Sequence, residues 1–465
     1  GIGRFLDAIE AAPEIEPHSL MVLRHGHVVA SGWWAPYSPD RLHLLYSLSK
    51  SFTSTAAGFA VAEGLVRLDD PVVSYFPEFE AEITDPRSRA MLVRHVASMA
   101  SGHVAETMER AVGLDPDEIV RGFLLLPPDR EPGTVFAYNQ PATYSLATIV
   151  QKVTGQTLTE YLRPRLFDPL GIGEVVWLQH PAGRDIGFSG LHATTDAIAR
   201  LGLLYLQGGV WEGKQLLPTA WVDEATRSHV SNAGEPNPDW RRGYGFQFWM
   251  SLHGYRGDGA YGQFCIVLPE HDAVIAMTAA TVEMQALLDA VWGHLVPVLG
   301  AAPLDGRDGE DAALSQRLSE LELPPAPGKP APPADPGAWS GAEFAPDGGV
   351  CADQPTLTRV VVAPGVDGCW RVSLVEDGGR IELRLSGTDA PGWCVDAGAD
   401  APVPTASSGG WTDPDTLTVE VVFLETPHRL VVTCSLASRA FTARWRTVPL
   451  HGGPLRSHGA VRVEG

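Results

Sequence analysis

Strand-like segments stand at both ends of residues 1–300, and helical segments fill the stretch between them. Residues 19–31, SLMVLRHGHVVAS, place two apolar runs around His25-Gly26, which is the pattern of a hairpin whose glycine supplies a positive φ. GYGFQFWMSL (243–252), GQFCIVLP (262–269) and AVIAMTAA (273–280) are also strand-like. Helical spacing marks 47–63, 86–99, 115–125, 141–154, 157–165, 196–207 and 218–226, with a closing helix over 281–298. Gly64 stands where a C-terminal cap belongs, and Asp196 is placed to cap the helix it opens. Strands at both chain ends can share a sheet only if the ends return to each other. The expected α+β architecture is an antiparallel sheet flanked by helices, with a helical subdomain inserted between its strands.

The chain is 465 residues long, more than one hydrophobic core usually serves. Residues 301–337 are rich in Pro, Ala, Gly and Asp and hold one short helical stretch, EDAALSQRLSELEL, so they read as a linker. Beyond it, 338–465 is rich in Val, Thr, Trp and Leu, with frequent turns. RVSLVEDGGRIELRLSG and TLTVEVVFLETPHRLVVTCSLA are hairpin patterns. The expected division is a catalytic domain over 1–300, a linker over 301–337, and an all-β sandwich or barrel over 338–465.

A net charge of −22 repels phosphate backbones and anionic membranes, so nucleic acid is not an expected partner. No apolar run is long enough to span a bilayer. The opening stretch lacks the basic-then-apolar pattern of a secretory signal, which favours the cytoplasm. The chain begins with Gly, so a removed leader stays open. Cys265, Cys351, Cys369, Cys394 and Cys434 form no CxxC pair, and buried free thiols are expected. His25 and His27 alternate without a third ligand nearby, so neither metal nor cofactor is expected.

The chemistry is concentrated at Ser47-Leu48-Ser49-Lys50. A serine hydroxyl needs a base to take its proton, and a lysine three residues on lies on the same helical face. The helix N-terminus favours an oxyanion and disfavours a second positive charge. Only four of the 34 basic residues are Lys. A chain that otherwise chooses Arg has here a side chain able to deprotonate, which Arg cannot do. Tyr138, in PGTVFAYNQ (132–140), sits beside a helix start where a phenol can relay protons. In YRGDGAYGQ (255–263), small residues let backbone approach a ligand closely.

These three elements, in order, resemble the class C β-lactamase and penicillin-binding-protein superfamily of serine hydrolases, which includes esterases, D-aminopeptidases and nylon-oligomer hydrolases. The resemblance spans about residues 15–298 and includes YSLSKSFTSTAAGFAVAEGLVRLDDPV, LVRHVASMASGH, GLHATTDAIARLGLLYLQGGVWEGKQLL and GDGAYGQFCIVLPEHDAVIAMT. It implies a β-lactamase-like fold, with Ser47 as nucleophile and Lys50 as base. The Tyr-x-Asn motif of the family falls on Tyr138, but Gln140 occupies its third position, with Asn139 as an alternative amide. The third motif, Lys-Thr-Gly or His-x-Gly, has no clean equivalent, and His253 is out of register. Arg256 or Asp258 would take its polar role in binding substrate. The Ser47 and Ala260 N–H groups are the implied oxyanion donors.

Without the third-motif cation, efficient β-lactam turnover is not expected. The expected reaction is acyl transfer through an acyl-enzyme on a small ester, an amide or a D-amino-acid-containing peptide. Two alternatives stand beside it: a non-hydrolytic ligand sensor, and an acyltransferase that passes the acyl group to an amine or alcohol. The sequence leaves the oligomeric state and the role of the β-domain open.

Overall fold

The computed structural model describes residues 1–300, 306–366, 368–387, 392–398 and 401–462. The chain divides into two compact units, Gly1–Gly32 with Leu45–Ser319, and Trp33–Leu44 with Glu320–Gly465. The helical stretch of the expected linker spans Asp308–Ser319 and falls within the first unit. Residues 301–305 of that linker lie outside the described residues.

In the first unit, helix α1 (Ile2–Ala11) precedes β1 (Glu16–Arg24) and β2 (His27–Trp33), which turn at His25 and Gly26, both at positive φ. The chain returns at β3 (Trp249–Met250), β4 (Tyr255–Gly259), β5 (Gln263–Leu268) and β6 (Ala273–Ala280). The sheet order is β2-β1-β6-β5-β4-β3, so β1 from the start of the chain pairs antiparallel with β6 from its return. Every residue of β5 and β6 is buried. Helix Thr195–Leu206 packs on this sheet so closely that a Cβ on Gly202 would stand 2.6 Å from a Val274 methyl and 2.9 Å from the Cys265 sulfur. The helices between β2 and β3 form the inserted subdomain.

Several boundaries differ from the sequence expectation. The 47–63 helix begins at Ser49, and Tyr46–Leu48 form a tighter 3-10 turn ahead of it. The 86–99 stretch is two short helices, Pro86–Ala90 and Val93–Ala97, because Met91 and Leu92 are extended and Leu92 bridges to Pro71. Thr194, not Asp196, caps the following helix: its hydroxyl accepts from the Ala197 N–H at 3.2 Å, and Asp196 pairs with Arg200. Only Trp249–Met250 of the 243–252 stretch forms a strand. Gly243 and Gln247, both at positive φ, turn the chain out of the extended conformation.

The second unit is a nine-stranded sheet: β7 (Ala342–Pro346), β8 (Leu357–Pro364), β9 (Trp370–Glu376), β10 (Gly379–Leu385), β11 (Cys394–Asp396), β12 (Thr405–Trp411), β13 (Thr416–Phe423), β14 (Arg429–Ser435) and β15 (Ala440–Trp445). Its order is β10-β9-β8-β7-β15-β14-β13-β12-β11. The two ends of that order meet. Arg384 on β10 donates to the Val395 carbonyl on β11 at 3.0 Å, and Ser407 on β12 donates to the Arg384 carbonyl at 2.7 Å. The sheet is therefore a nearly closed barrel, which removes most of the unpaired strand edge. Its apolar filling includes Trp339 and Trp370, each edge-on to Trp411 with ring centres 5.5 and 5.0 Å away. All five cysteines are free thiols. Among the described residues, no helix is long and apolar enough to cross a membrane.

Candidate active site

Tyr46 holds a positive φ immediately before Ser47, so the chain bends sharply into the turn that presents the serine. That turn is fixed from below: the Ser49 hydroxyl donates to the Tyr46 carbonyl at 2.6 Å and accepts from the Leu191 N–H at 3.0 Å. Helix α2 (Ser49–Ala62) follows, and its first turn brings Lys50 back under Ser47. Ser47 itself is half-buried, whereas Lys50 is 1% exposed.

The Lys50 amine has three neighbours: the Ser47 hydroxyl at 3.0 Å, the Gln140 side-chain carbonyl at 2.7 Å and the Phe188 backbone carbonyl at 2.7 Å. A protonated amine can donate to all three. A neutral amine can donate to the two carbonyls and turn its lone pair to the Ser47 O–H, which is the arrangement a general base needs. Burial lowers the Lys50 pKa to about 7, against the pull of the Glu106 and Asp258 carboxylates. The neutral form of the amine is thereby brought within reach of neutral pH.

Tyr138 completes this group. Its ring stacks on Trp249 at 5.2 Å, and the Lys50 nitrogen lies 4.8 Å from its ring centre. Burial, with the Asp258 charge, holds the phenol well above its ordinary value, so it stays protonated, and its hydrogen bond with Ser47 opposes that shift. A neutral phenol bonded to the Ser47 hydroxyl can hand on one proton as it takes up another, without carrying a charge.

The third element enters through β4. A Cβ at Gly257 would collide with Ser51 and Leu48, and one at Gly259 with the Leu45 carbonyl and the Leu48 nitrogen. Absence of both lets the strand press against the turn that carries Ser47. Ala260 lies just past the strand, in a turn that the Gly262 N–H closes onto the Gly259 carbonyl at 3.3 Å.

The structure separates the four residues considered for substrate binding. Gln140 and Asp258 stand near the lysine: Gln140 bonds it, and Asp258 acts on it through its charge. Asn139 and Arg256 are fully buried and engaged elsewhere. The Asn139 carbonyl accepts from the Thr107 N–H at 3.0 Å and the Thr107 hydroxyl at 2.9 Å. Arg256 lies 4.3 Å from the Trp240 ring centre, donates to Asp258 at 3.0 Å and to Ser251 at 2.7 Å, and reaches the Asp239 carbonyl. Its charge is therefore spent inside the protein.

Two participants carry no signal in the sequence pattern. Phe188 contributes a main-chain carbonyl, which no residue type reveals. Glu106 accepts the Gln140 backbone N–H at 2.9 Å and so anchors the residue that bonds Lys50. Among the described residues, no group of three or more His, Cys, Asp or Glu is arranged to hold a metal ion, and His25 bonds Asp272 at 2.7 Å.

A family model described as Beta-lactamase matches residues 5–293, well over half of the chain. The chain belongs to the Beta-lactamase family. It is 27% identical over 303 residues to the 6-aminohexanoate-dimer hydrolase of Paenarthrobacter ureafaciens, a match covering 58% of this chain and 74% of that protein. It is 28% identical over 193 residues to the lovastatin esterase of Penicillium rubens, covering 37% and 48%. Of the solved structures, a putative 6-aminohexanoate-dimer hydrolase from Bacillus anthracis superposes with a TM-score of 0.52 at 21% identity, over 63% of this chain and 79% of that one. At that identity the superposition bears on the fold alone, which is the β-lactamase fold. With membership of the Beta-lactamase family and hydrolases among its relatives, this chain is a serine hydrolase.

Proposed function

We propose that Ser47 is the nucleophile of a two-step acyl transfer in which neutral Lys50 is the base. The single observation that carries this reading is the Lys50 amine at 3.0 Å from the Ser47 hydroxyl, buried and shifted to a pKa of about 7. Lys50 takes the Ser47 proton as the oxygen attacks the carbonyl. The N–H groups of Ser47 and Ala260 hold the oxyanion. Tyr138 passes a proton to the leaving group as it takes the Ser47 proton back from the Lys50 ammonium, and water then cleaves the acyl-enzyme by the same relay. Gln140 orients Lys50, and Asp258 and Glu106 set the charge around it.

The substrate is a small ester, a small amide or a D-amino-acid-containing peptide. The Arg256–Asp258 ion pair supports this choice over a β-lactam, because it leaves no free cation on β4 to meet a substrate carboxylate. The chemistry is assigned to residues 1–300. A fluorophosphonate probe should label Ser47 in the wild-type chain and leave Ser47→Ala unlabelled. Equal labelling of the two would end the assignment.

A further inference from the structure

Gln247 adopts a φ of +64°, in the left-handed region where a glycine or asparagine sits at less cost. It is 2% exposed, and its hydrogen-bonding groups reach three different helices. The carboxamide nitrogen donates to the Val96 and Ala97 carbonyls at 3.2 and 2.7 Å. The carboxamide oxygen accepts from the Thr143 hydroxyl at 2.7 Å. The Gln247 main-chain N–H donates to the Ala97 carbonyl at 3.2 Å, and its main-chain carbonyl accepts from the Ser51 hydroxyl at 3.0 Å.

The partners explain what the strain is for. Ser51 follows Lys50 in α2. Thr143 lies one turn beyond Gln140 on the helix Gln140–Thr154, on the same face. Val96 and Ala97 end the helix Val93–Ala97, where carbonyls lack helical partners. A residue held in a costly conformation while all its polar groups are satisfied is the kind of outlier that points to function.

We propose that Gln247 is a positioning residue for the catalytic base, tying the helix that carries Lys50 to the helix that carries Gln140. This rests on the catalytic reading of Lys50 given above. Lys50 must meet Ser47 from its own helix and Gln140 from the other. Both contacts are at hydrogen-bond distance, so a relative shift of about 1 Å between the helices removes one of them. Gln247 holds Ser51 of α2 through its backbone and Thr143 of the Gln140–Thr154 helix through its amide.

The test is Gln247→Gly, which accepts the same φ without strain, removes the side chain with its carboxamide and keeps the main-chain bonds to Ala97 and Ser51. With p-nitrophenyl acetate, kcat should fall ~10-fold or more while KM changes by less than ~3-fold. The acidic limb of the pH profile should move upward, because a loosened slot admits water to the amine. A glycine variant that keeps kcat and an unmoved acidic limb overturns the inference, whatever its melting temperature. If that variant does not fold, Thr143→Val removes one bond of the set, and it should lower kcat and move the limb in the same directions by less. Unchanged values for that folded variant overturn the inference as well. Failure of the underlying catalytic reading shows separately, as a wild-type protein that neither turns over the ester nor labels at Ser47.

Discussion

Gln140 holds Lys50 by its side chain and is itself held by Glu106 through its main chain, so one residue links the buried amine to an exposed carboxylate at the rim of the site. The amine is therefore placed by neutral carbonyl oxygens at close range, and carboxylates act on it only through their field.

The first consequence concerns pH. Lys50 must be neutral to act as a base, so kcat/KM should rise with pH through an inflection near its pKa of about 7. Glu106 raises that pKa, so Glu106→Gln should move the inflection to lower pH. Initial rates on a neutral ester across pH 5–9 would measure both. An inflection unaffected by removal of the carboxylate would mean that Glu106 does not act on the base.

Stability should respond to the same amine in the opposite sense to a salt bridge. The folded-state pKa of Lys50 is about 7, below the ordinary lysine value of 10.5, so the unfolded chain binds the extra proton between those values. Stability contributed by this group is thus lost as pH falls from about 10.5 to about 7, and stays level below that. Lys50→Met lacks this loss. Its melting temperature, measured against wild type, should gain steadily over that window as pH falls. A constant difference across the window would contradict a buried neutral lysine.

Asn139 offers a test of structure against substrate contact. Asn139→Ala unmakes two hydrogen bonds to Thr107 in a buried place, which costs about 1–3 kcal/mol. Denaturant melts should show that loss. The variant's KM for esters should stay close to wild type, and a selective rise in KM would return Asn139 to the list of substrate ligands.

Arg256 and Asp258 should behave as a unit. Either single change to an apolar residue strands a buried charge and should cost about 3–5 kcal/mol. Arg256→Met combined with Asp258→Leu should cost less than the sum of the two. Additive losses in a double-mutant cycle would show that the pair is not coupled.

Much of this site is legible in the sequence because helical geometry converts spacing into contact. Ser47 and Lys50 meet whether the helix starts at 47 or, as found, at Ser49, since the 3-10 turn keeps the two residues about one turn apart. The strand Ala273–Ala280 is equally legible, because an unbroken apolar run fits a strand buried on both faces. What resists reading is set by main chain. The Phe188 carbonyl belongs to no residue type, and the turn at Gln247 breaks a stretch whose composition says strand. Asn139 and Arg256 look like ligands from their chemistry, and only packing shows that both are buried, with Thr107 on the Asn139 carbonyl and Asp258 and Ser251 on Arg256.

The paired glycines of β4 have a practical consequence for redesign. Side chains at 257 and 259 would drive into the segment that presents Ser47, whereas position 258 between them already carries a side chain. A mutant library along this strand should therefore vary Asp258 only together with Arg256, its buried ion partner, and variation at the glycines would mostly report misfolded protein. The strand backbone itself should be left as found.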